Sequence, residues 1–335
     1  MIHTVYSFNS ELHLVTGVQK VLMDIHHAIK NKYDAKIVGT ISFHKLNSVL
    51  GIERNDYIRL ASPFMFRNSI VIVHERKFLI FFWILNTILK QKIRIVYIHH
   101  NLFYDNVKLT ILPKYIVSIS EKVSDNLKNI FHAKEENIRK IYNCTKDIHP
   151  QPHKLMNAKG DIKILYPARI NDTKRQIEIY HQLKNKIDSR IKILFAGLGP
   201  RYDELKKITK GDKQFLVLGF QNNVCQLLQE CDFMMLFSKH EGLPISLIEA
   251  DMCGIPVICN DVGGNTEIVH DKINGLIVND WDELIKVLNN LPNMSEEEYS
   301  RLSVNGRKIF EENFTFEKFQ KSYCDFLDDI IRQDI

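Results

Sequence analysis

The 335-residue sequence lacks a long hydrophobic run, a CxxC pair, a low-complexity tract and an internal repeat, and each absence narrows what the chain can be. Its longest apolar run, FLIFFWIL at 78–85, extends at most to Leu89 across Asn86 and Thr87. A spanning helix needs roughly 20 apolar residues, so this run is too short to cross a bilayer. The cysteines, Cys144, Cys225, Cys231, Cys253, Cys259 and Cys324, neither pair at zinc-binding spacing nor accompany a histidine cluster. A reducing compartment without a structural metal is expected. The start, MIHTVYSFNSELH, has no basic segment leading into an apolar run, the mark of a secretory signal. Together these features predict a cytoplasmic protein. No stretch is rich enough in Pro, Gly or Ser to suggest disorder, so the chain is expected to fold throughout.

What is present points to two domains. A chain of this length is too long for one ordinary core and suits two α/β domains of roughly 150 residues each. Charge divides unevenly: residues 1–150 carry 21 Lys and Arg against 12 Asp and Glu, a net of +9, whereas residues 151–335 carry 24 against 28, a net of −4. The basic half predicts a surface that meets something anionic, either phospholipid headgroups or a phosphate-bearing acceptor. A solvated basic face without a partner is the alternative.

Short β-rich apolar runs alternate with helical patterns: 2–8 then 18–29, 70–74 then 78–89, 93–98, and 116–120 then 123–130. Strands separated by helices imply a parallel sheet covered on both faces. The alternation restarts at 162–166 and continues through 191–196, 215–218, 233–237, 256–260 and 276–278, which predicts a second doubly wound domain. Between them, 143–160 is polar with two prolines and reads as a linker. Ser295 with Glu298 forms a capping box, and Thr315 can cap a final helix over 316–332.

Ligands of open α/β sheets bind at the carboxyl ends of the strands, so the loops after the strands are where chemistry is expected. After 162–166 comes PARINDTKRQ, with Arg169 and Lys174 around a polar turn. Two cations converging there suit a diphosphate, Arg through its bidentate fork and Lys as a point charge. After 191–196, Gly197 and Gly199 fit the first two glycines of the dinucleotide fingerprint, but Tyr202 stands at the third. That weighs against NAD binding and favours a tight strand-to-helix turn.

The densest segment is 237–278, FSKHEGLPISLIEADMCGIPVICNDVGGNTEIVHDKINGLIV. Pro244 suits the first turn of a helix, Gly254 can end it and Pro256 stops it continuing. Glu241 then precedes the helix and Glu249 lies within it. Each carboxylate can accept a pair of hydroxyl hydrogen bonds, as the vicinal diols of a ribose and a hexose offer. The helix start between them presents free N–H groups and a positive dipole end to phosphates. Gly263 and Gly264, after the strand expected at 256–260, permit close backbone approach to the same ligand.

EGLPISLIE, with Glu241 and Glu249, resembles the E-x7-E motif of family 4 glycosyltransferases in the GT-B superfamily. ARINDTK resembles that family's GRLxxxK segment, AGLGP its GxGP turn, VLGF its FLGF strand end, and GGNTEIV with NGLIV its closing elements. CDFMMLFSKHEGLP, IVSISEKVSDNL and IYNC extend the likeness over nearly the whole chain. The resemblance implies the GT-B form of α/β fold, two Rossmann-like doubly wound domains facing across a cleft. It implies an acceptor-binding domain at 1–150, a nucleotide-sugar-binding domain at 160–315, and a C-terminal helix at 316–335 packing back on the first. The implied activity is that of a retaining transferase that moves a hexose or N-acetylhexosamine from a nucleotide-diphosphate sugar, with a UDP-sugar favoured. The implied acceptor is a glycan or a lipid-linked saccharide, in bacterial surface polysaccharide or lipopolysaccharide synthesis.

Carried over residue by residue, the resemblance implies that Arg169 and Lys174 hold the diphosphate, Glu249 the ribose and Glu241 the transferred sugar. Gly219 and Phe220 lie near the base, and Gly242, Leu243, Pro244 and Ile245 line the donor site. In the first domain, Gly17 in the loop before helix 18–29 resembles the glycine that approaches the phosphates. At the strand end YIHHN, His100 resembles the histidine that faces the reacting sugar, with His99 as the other candidate. Two segments depart from the family: the glycine-rich loop is reduced to TGVQ, and YPA precedes Arg169 where a glycine is common.

Departure of a nucleoside diphosphate leaves negative charge on the distal phosphate, so fixed positive charge there stabilises the transition state more than the ground state. Arg169, Lys174 and the helix start are expected to supply it, with no metal and no cofactor. Asp280-Trp281-Asp282 has the Asp-x-Asp form of a metal site, but it precedes a helical pattern where aspartates serve as caps. The resemblance supplies no carboxylate nucleophile on the reacting face, so attack by the acceptor on the leaving-group face is expected. A nucleotide-sugar epimerase, a phosphorylase and a non-catalytic nucleotide-sugar-binding protein are the rival readings. The expected partners are the donor, the saccharide acceptor and the anionic inner face of the cell membrane, and not nucleic acid. The membrane contact would use 78–83 with Arg76, Lys77, Lys90 and Lys92, unless that run is a buried crossover helix.

Overall fold

The computed structural model describes residues 4–151 and 160–333. Part of the linker expected at 143–160 and the first residues of the strand expected at 2–8 lie outside the described residues. The chain divides into two compact units, Met1–Cys144 with Phe316–Ile335, and Thr145–Thr315. The division expected near residue 150 thus falls after Cys144. The Thr145 N–H donates to the Phe314 carbonyl at 3.2 Å and Thr145 bridges to Thr315, so the chain enters and leaves the second unit side by side.

The first unit runs β1 (Thr4–Phe8), α1 (Gly17–Ile29), β2 (Asp34–Gly39), β3 (Tyr57–Arg59), β4 (Ile70–Val73), α2 (Leu79–Thr87), β5 (Arg94–His99), β6 (Tyr115–Ser118), α3 (Glu121–Asn129) and β7 (Ile138–Lys140). All its pairings are parallel, in the order β3-β2-β1-β4-β5-β6-β7. The strand β4, IVIV, is buried at every residue because both sheet faces are covered. Thr16 and Ser120 cap α1 and α3, accepting from the N–H groups of Val18 and Val123.

In the same unit α2 departs from a buried crossover helix. Leu79, Phe82 and Leu85 are buried, but Ile80, Trp83 and Ile84 face solvent at helical spacing, and Ile88 and Leu89 beyond the helix are exposed too. Apolar residues therefore surround the whole helix.

The second unit runs β8 (Ile162–Pro167), α4 (Gln176–Leu183), β9 (Ile191–Ala196), α5 (Tyr202–Ile208), β10 (Phe215–Gly219), α6 (Val224–Gln229), β11 (Phe233–Leu236), α7 (Ile245–Met252), β12 (Val257–Cys259), α8 (Asn265–Ile268), β13 (Gly275–Ile277), α9 (Trp281–Asn290) and α10 (Glu296–Asn313). Its parallel sheet has the order β10-β9-β8-β11-β12-β13. The last helix, α11 (Phe316–Arg332), returns to the first unit and packs on α1. Its buried stripe is Phe319, Tyr323, Phe326, Leu327 and Ile330. Gln320 Nε2 donates to the Ala28 carbonyl at 2.9 Å, and the Tyr33 hydroxyl donates to Asp328 at 2.8 Å.

Candidate functional site

Strand order reverses between β8 and β11, so the loops that follow them diverge and leave a crevice at their carboxyl ends. Arg169 and Lys174 stand on the first of these loops and Glu241 on the second.

The loop after β8 is built by side chains that grip its backbone. Gln176 Nε2 donates to the Arg169 carbonyl at 3.1 Å, and Asn171 Oδ1 accepts from the Lys174 N–H at 2.9 Å. The Tyr166 hydroxyl donates to the Lys174 carbonyl at 2.7 Å and accepts from the Phe237 N–H at 3.1 Å, tying the two loops together. Burial pushes the Tyr166 hydroxyl pKa upward, so it stays protonated and able to donate. Arg169 itself is exposed.

Glu241 is almost fully buried. Its Oε1 accepts from Ser238 Oγ at 2.5 Å and from Lys174 Nζ, so one oxygen holds a hydroxyl and an ammonium. Oε2 accepts from no group among the described residues. Ser238 is held in turn by Asn260, whose Oδ1 accepts from the Ser238 N–H at 3.1 Å and whose Nδ2 donates to the Ser238 carbonyl at 2.7 Å.

The glycines after β12 do a different job from the one expected of them. Gly263 has φ +57°, and a Cβ there would collide with the Glu241 carbonyl. The Gly264 N–H donates to the Gly242 carbonyl at 2.9 Å. Their close backbone approach is to the Glu241–Gly242 segment, which they buttress. Gly197 and Gly199 likewise lie against the carbonyls of Ala168 and Ile170, so they support the Arg169 loop. Gly219, at φ +74°, accepts from the Gly197 N–H at 2.7 Å at the end of β10, with Phe220 exposed beside it.

Gly242, Leu243, Pro244 and Ile245 are buried at the start of α7. Glu249 lies on the next turns of that helix, partly exposed. The Asp-x-Asp pair opens α9, where Asp280 Oδ1 accepts from the Glu283 N–H at 2.8 Å as its cap.

In the first unit the loops after β1, β4 and β5 surround a cavity of ≈ 660 Å³, lined among others by Asn9, Thr16, His74, Glu75, Tyr97 and His100. Gly17 is the first residue of α1, one position earlier than expected, and a Cβ there would meet nothing within 4 Å. Packing supplies no reason for a glycine at that point. His99 is fully buried and both its nitrogens are engaged, Nδ1 with the Tyr97 hydroxyl and Nε2 with Asn126 Oδ1, each at 3.0 Å. Burial lowers the His99 pKa to about 4. His100, the neighbour, lines the cavity, and burial followed by the charge of His99 lowers its pKa to about 3.

Tyr166, Gln176, Ser238 and Asn260, which position the named residues, and His74 and Glu75 in the first unit belong to no motif that marks them in the sequence. The available signal was position: all but Gln176 stand at the carboxyl end of a strand or just beyond it.

Residues 147–309 match the family model for glycosyl transferases group 1. N-acetyl-alpha-D-glucosaminyl L-malate synthase of Bacillus anthracis is 29% identical over 167 residues, 47% of this chain and 42% of that protein. The UDP-Gal:alpha-D-GlcNAc-diphosphoundecaprenol alpha-1,3-galactosyltransferase of Escherichia coli is 31% identical over 101 residues, 28% of this chain and 26% of that protein. The chain thus spans about half or less of the length of the curated relatives it matches. Among solved structures, Anabaena Alr3699/HepE in complex with UDP and glucose matches with a TM-score of 0.83 at 15% identity, covering 98% of this chain and 100% of that one. This chain therefore has the GT-B fold in two Rossmann-like units, and the Lys174 and Glu241 loops lie within its match to glycosyl transferases group 1.

Proposed function

We propose that the protein is a retaining glycosyltransferase that moves a hexose or N-acetylhexosamine from a UDP-sugar to a glycan or lipid-linked saccharide acceptor, in bacterial surface polysaccharide or lipopolysaccharide synthesis. The observation that carries this reading is the contact of Lys174 with Glu241 at the carboxyl ends of adjacent strands, beside the start of α7. An ammonium has three donors, so Lys174 can hold Glu241 and a phosphate oxygen together. In this reading Glu241 binds the sugar next to the phosphate that must leave. Arg169 and the first N–H groups of α7 add positive charge where the leaving group gains negative charge. Glu249 takes the ribose, and His100 is the first unit's candidate for contact with substrate. UDP is favoured because the similar galactosyltransferase is named for UDP-Gal and the HepE complex holds UDP; the galactosyltransferase name also specifies a diphosphoundecaprenol-linked acceptor.

In this reading the protein's own cations meet the diphosphate, and neither a metal nor a cofactor takes part. Transfer from a UDP-sugar is expected to survive EDTA and to fall by at least ~10-fold in Lys174→Ala, as loss of a charged hydrogen-bonding partner costs about 1.5–3 kcal/mol. Complete loss with EDTA, restored by Mg²⁺ or Mn²⁺, would overturn the metal-free reading. Turnover of the donor without any acceptor, or with phosphate alone, would favour an epimerase or a phosphorylase.

A further inference from the structure

His74 follows β4 and His100 follows β5, and these strands are neighbours in the sheet. The two residues are 26 apart in sequence, yet His74 Nδ1 lies 3.0 Å from His100 Nε2. Their ring centroids are 5.2 Å apart with planes 19° apart. A centroid separation that exceeds the nitrogen–nitrogen distance by about two ring radii, with nearly parallel planes, means that the rings meet edge to edge along one hydrogen bond. They do not overlap face to face.

We propose that His74 is a positioning residue for His100: it donates from Nδ1 to His100 Nε2 and so holds His100 in the tautomer that carries its proton on Nδ1. His100 then offers that N–H to a ligand hydroxyl in the first-unit cavity. This rests on the reading of His100 as the histidine that faces substrate.

The direction of the shared hydrogen bond follows from the other nitrogen of His74. His74 is 5% exposed, and its Nε2 is buried without a partner among the described residues. If the shared proton sat on His100, neutral His74 would carry its own proton on Nε2, a buried N–H with no acceptor. If it sits on His74 Nδ1, Nε2 is a bare lone pair. Unpartnered buried N–H groups are the rarer and costlier of the two.

Neither ring is a cation in this arrangement. Burial, then the charge of His100, lowers the His74 pKa well below the ordinary value. The charged groups lining the same cavity are already matched: Lys77 pairs with Glu75 at 2.8 Å and with Glu11 at 2.9 Å, and Arg76 pairs with Asp105 at 2.8 Å. His99 is committed to Tyr97 and Asn126, so it does not compete for His100 Nε2. Without His74, the His100 ring would keep no hydrogen-bond partner among the described residues to fix its tautomer.

The test uses two isosteric substitutions in the full chain. In His74→Asn the amide nitrogen can stand where Nδ1 stood and still donate, whereas His74→Leu cannot donate. The kcat of His74→Asn is expected to stay within a few-fold of the parent and that of His74→Leu to fall about 10-fold, with KM for the donor and the thermal shift on adding UDP unchanged in both. Equal kcat values for the Asn and Leu variants would overturn the proposal. Nitrogen-15 spectra of histidine-labelled protein provide a readout that needs no activity. His100 should be protonated on Nδ1 in the parent and in His74→Asn, and should revert toward the Nε2 form in His74→Leu. A parent spectrum with His100 protonated on Nε2 would sink the proposal whatever reaction the protein performs. Absence of transfer from every donor would overturn the transferase reading and leave the tautomer to be decided by the spectra.

Discussion

What holds Glu241 sets what it can do. Glu241 is buried with Oε1 committed to Ser238 and Lys174, so its free oxygen is held in a fixed direction. Such fixation suits orienting a sugar as its anomeric carbon becomes cation-like. Glu249, on α7, is the residue we assign to the ribose, a group that does not change during reaction. Glu249→Gln is therefore expected to weaken binding of free UDP by roughly 10- to 150-fold, the equivalent of about 1.5–3 kcal/mol. Glu241→Gln should lower kcat by a similar factor and leave UDP affinity nearly unchanged. Titration calorimetry with UDP alongside steady-state kinetics separates the two, and equal loss of UDP affinity in both variants would show the roles to be misassigned. The two carboxylates were legible in the sequence because one short segment holds both. What Gly263 does was not: its collision partner, the Glu241 carbonyl, lies 22 residues earlier, and nothing local distinguishes a glycine that meets a ligand from one that meets backbone.

At the scale of elements, the run at 78–89 was legible as apolar but not as to which way it faces. The helix α2 sends Leu79, Phe82 and Leu85 into the core and leaves Ile80, Trp83 and Ile84 outside, with Lys90 and Lys92 exposed just beyond. A solvent-facing apolar stripe next to basic residues suits an anionic bilayer surface. Sedimentation with anionic liposomes at low salt should retain the parent protein, and Trp83→Ser combined with Ile84→Ser should weaken retention by several-fold. Failure of the parent to bind would dismiss the membrane contact. Long buried strands were read correctly from their apolar runs, but β2, β3 and β7 were missed. β3 and β7 are edge strands of three residues, and β2 begins Asp-Ala-Lys; none carries an apolar run long enough to stand out from a loop.

At the scale of the whole molecule, the last helix belongs to the first unit although the residues just before it belong to the second. Its five buried side chains are each worth about 1.5–3 kcal/mol. Their sum is comparable with the ~5–15 kcal/mol that holds an entire domain folded. Removal of residues 316–335 should therefore unfold the first unit, seen as loss of a calorimetric transition and of acceptor-dependent turnover, while the second unit still binds UDP. Loss of UDP binding with the first transition intact would contradict this division of the chain.

Residue types and their spacing along the chain determined much of this protein. The alternation of strand and helix patterns, the loops that hold Arg169 and Lys174, and the Glu241–Glu249 interval are local properties, and local sequence controls them through side-chain period, capping and turn chemistry. Which loops meet was decided only by tertiary structure. Lys174 reaches Glu241 across 67 residues because β8 lies beside β11, and His74 reaches His100 because β4 lies beside β5. Neighbours in a parallel sheet are joined by crossovers, and their order follows from how the helices cover both faces, a property of the packed whole that no single segment carries.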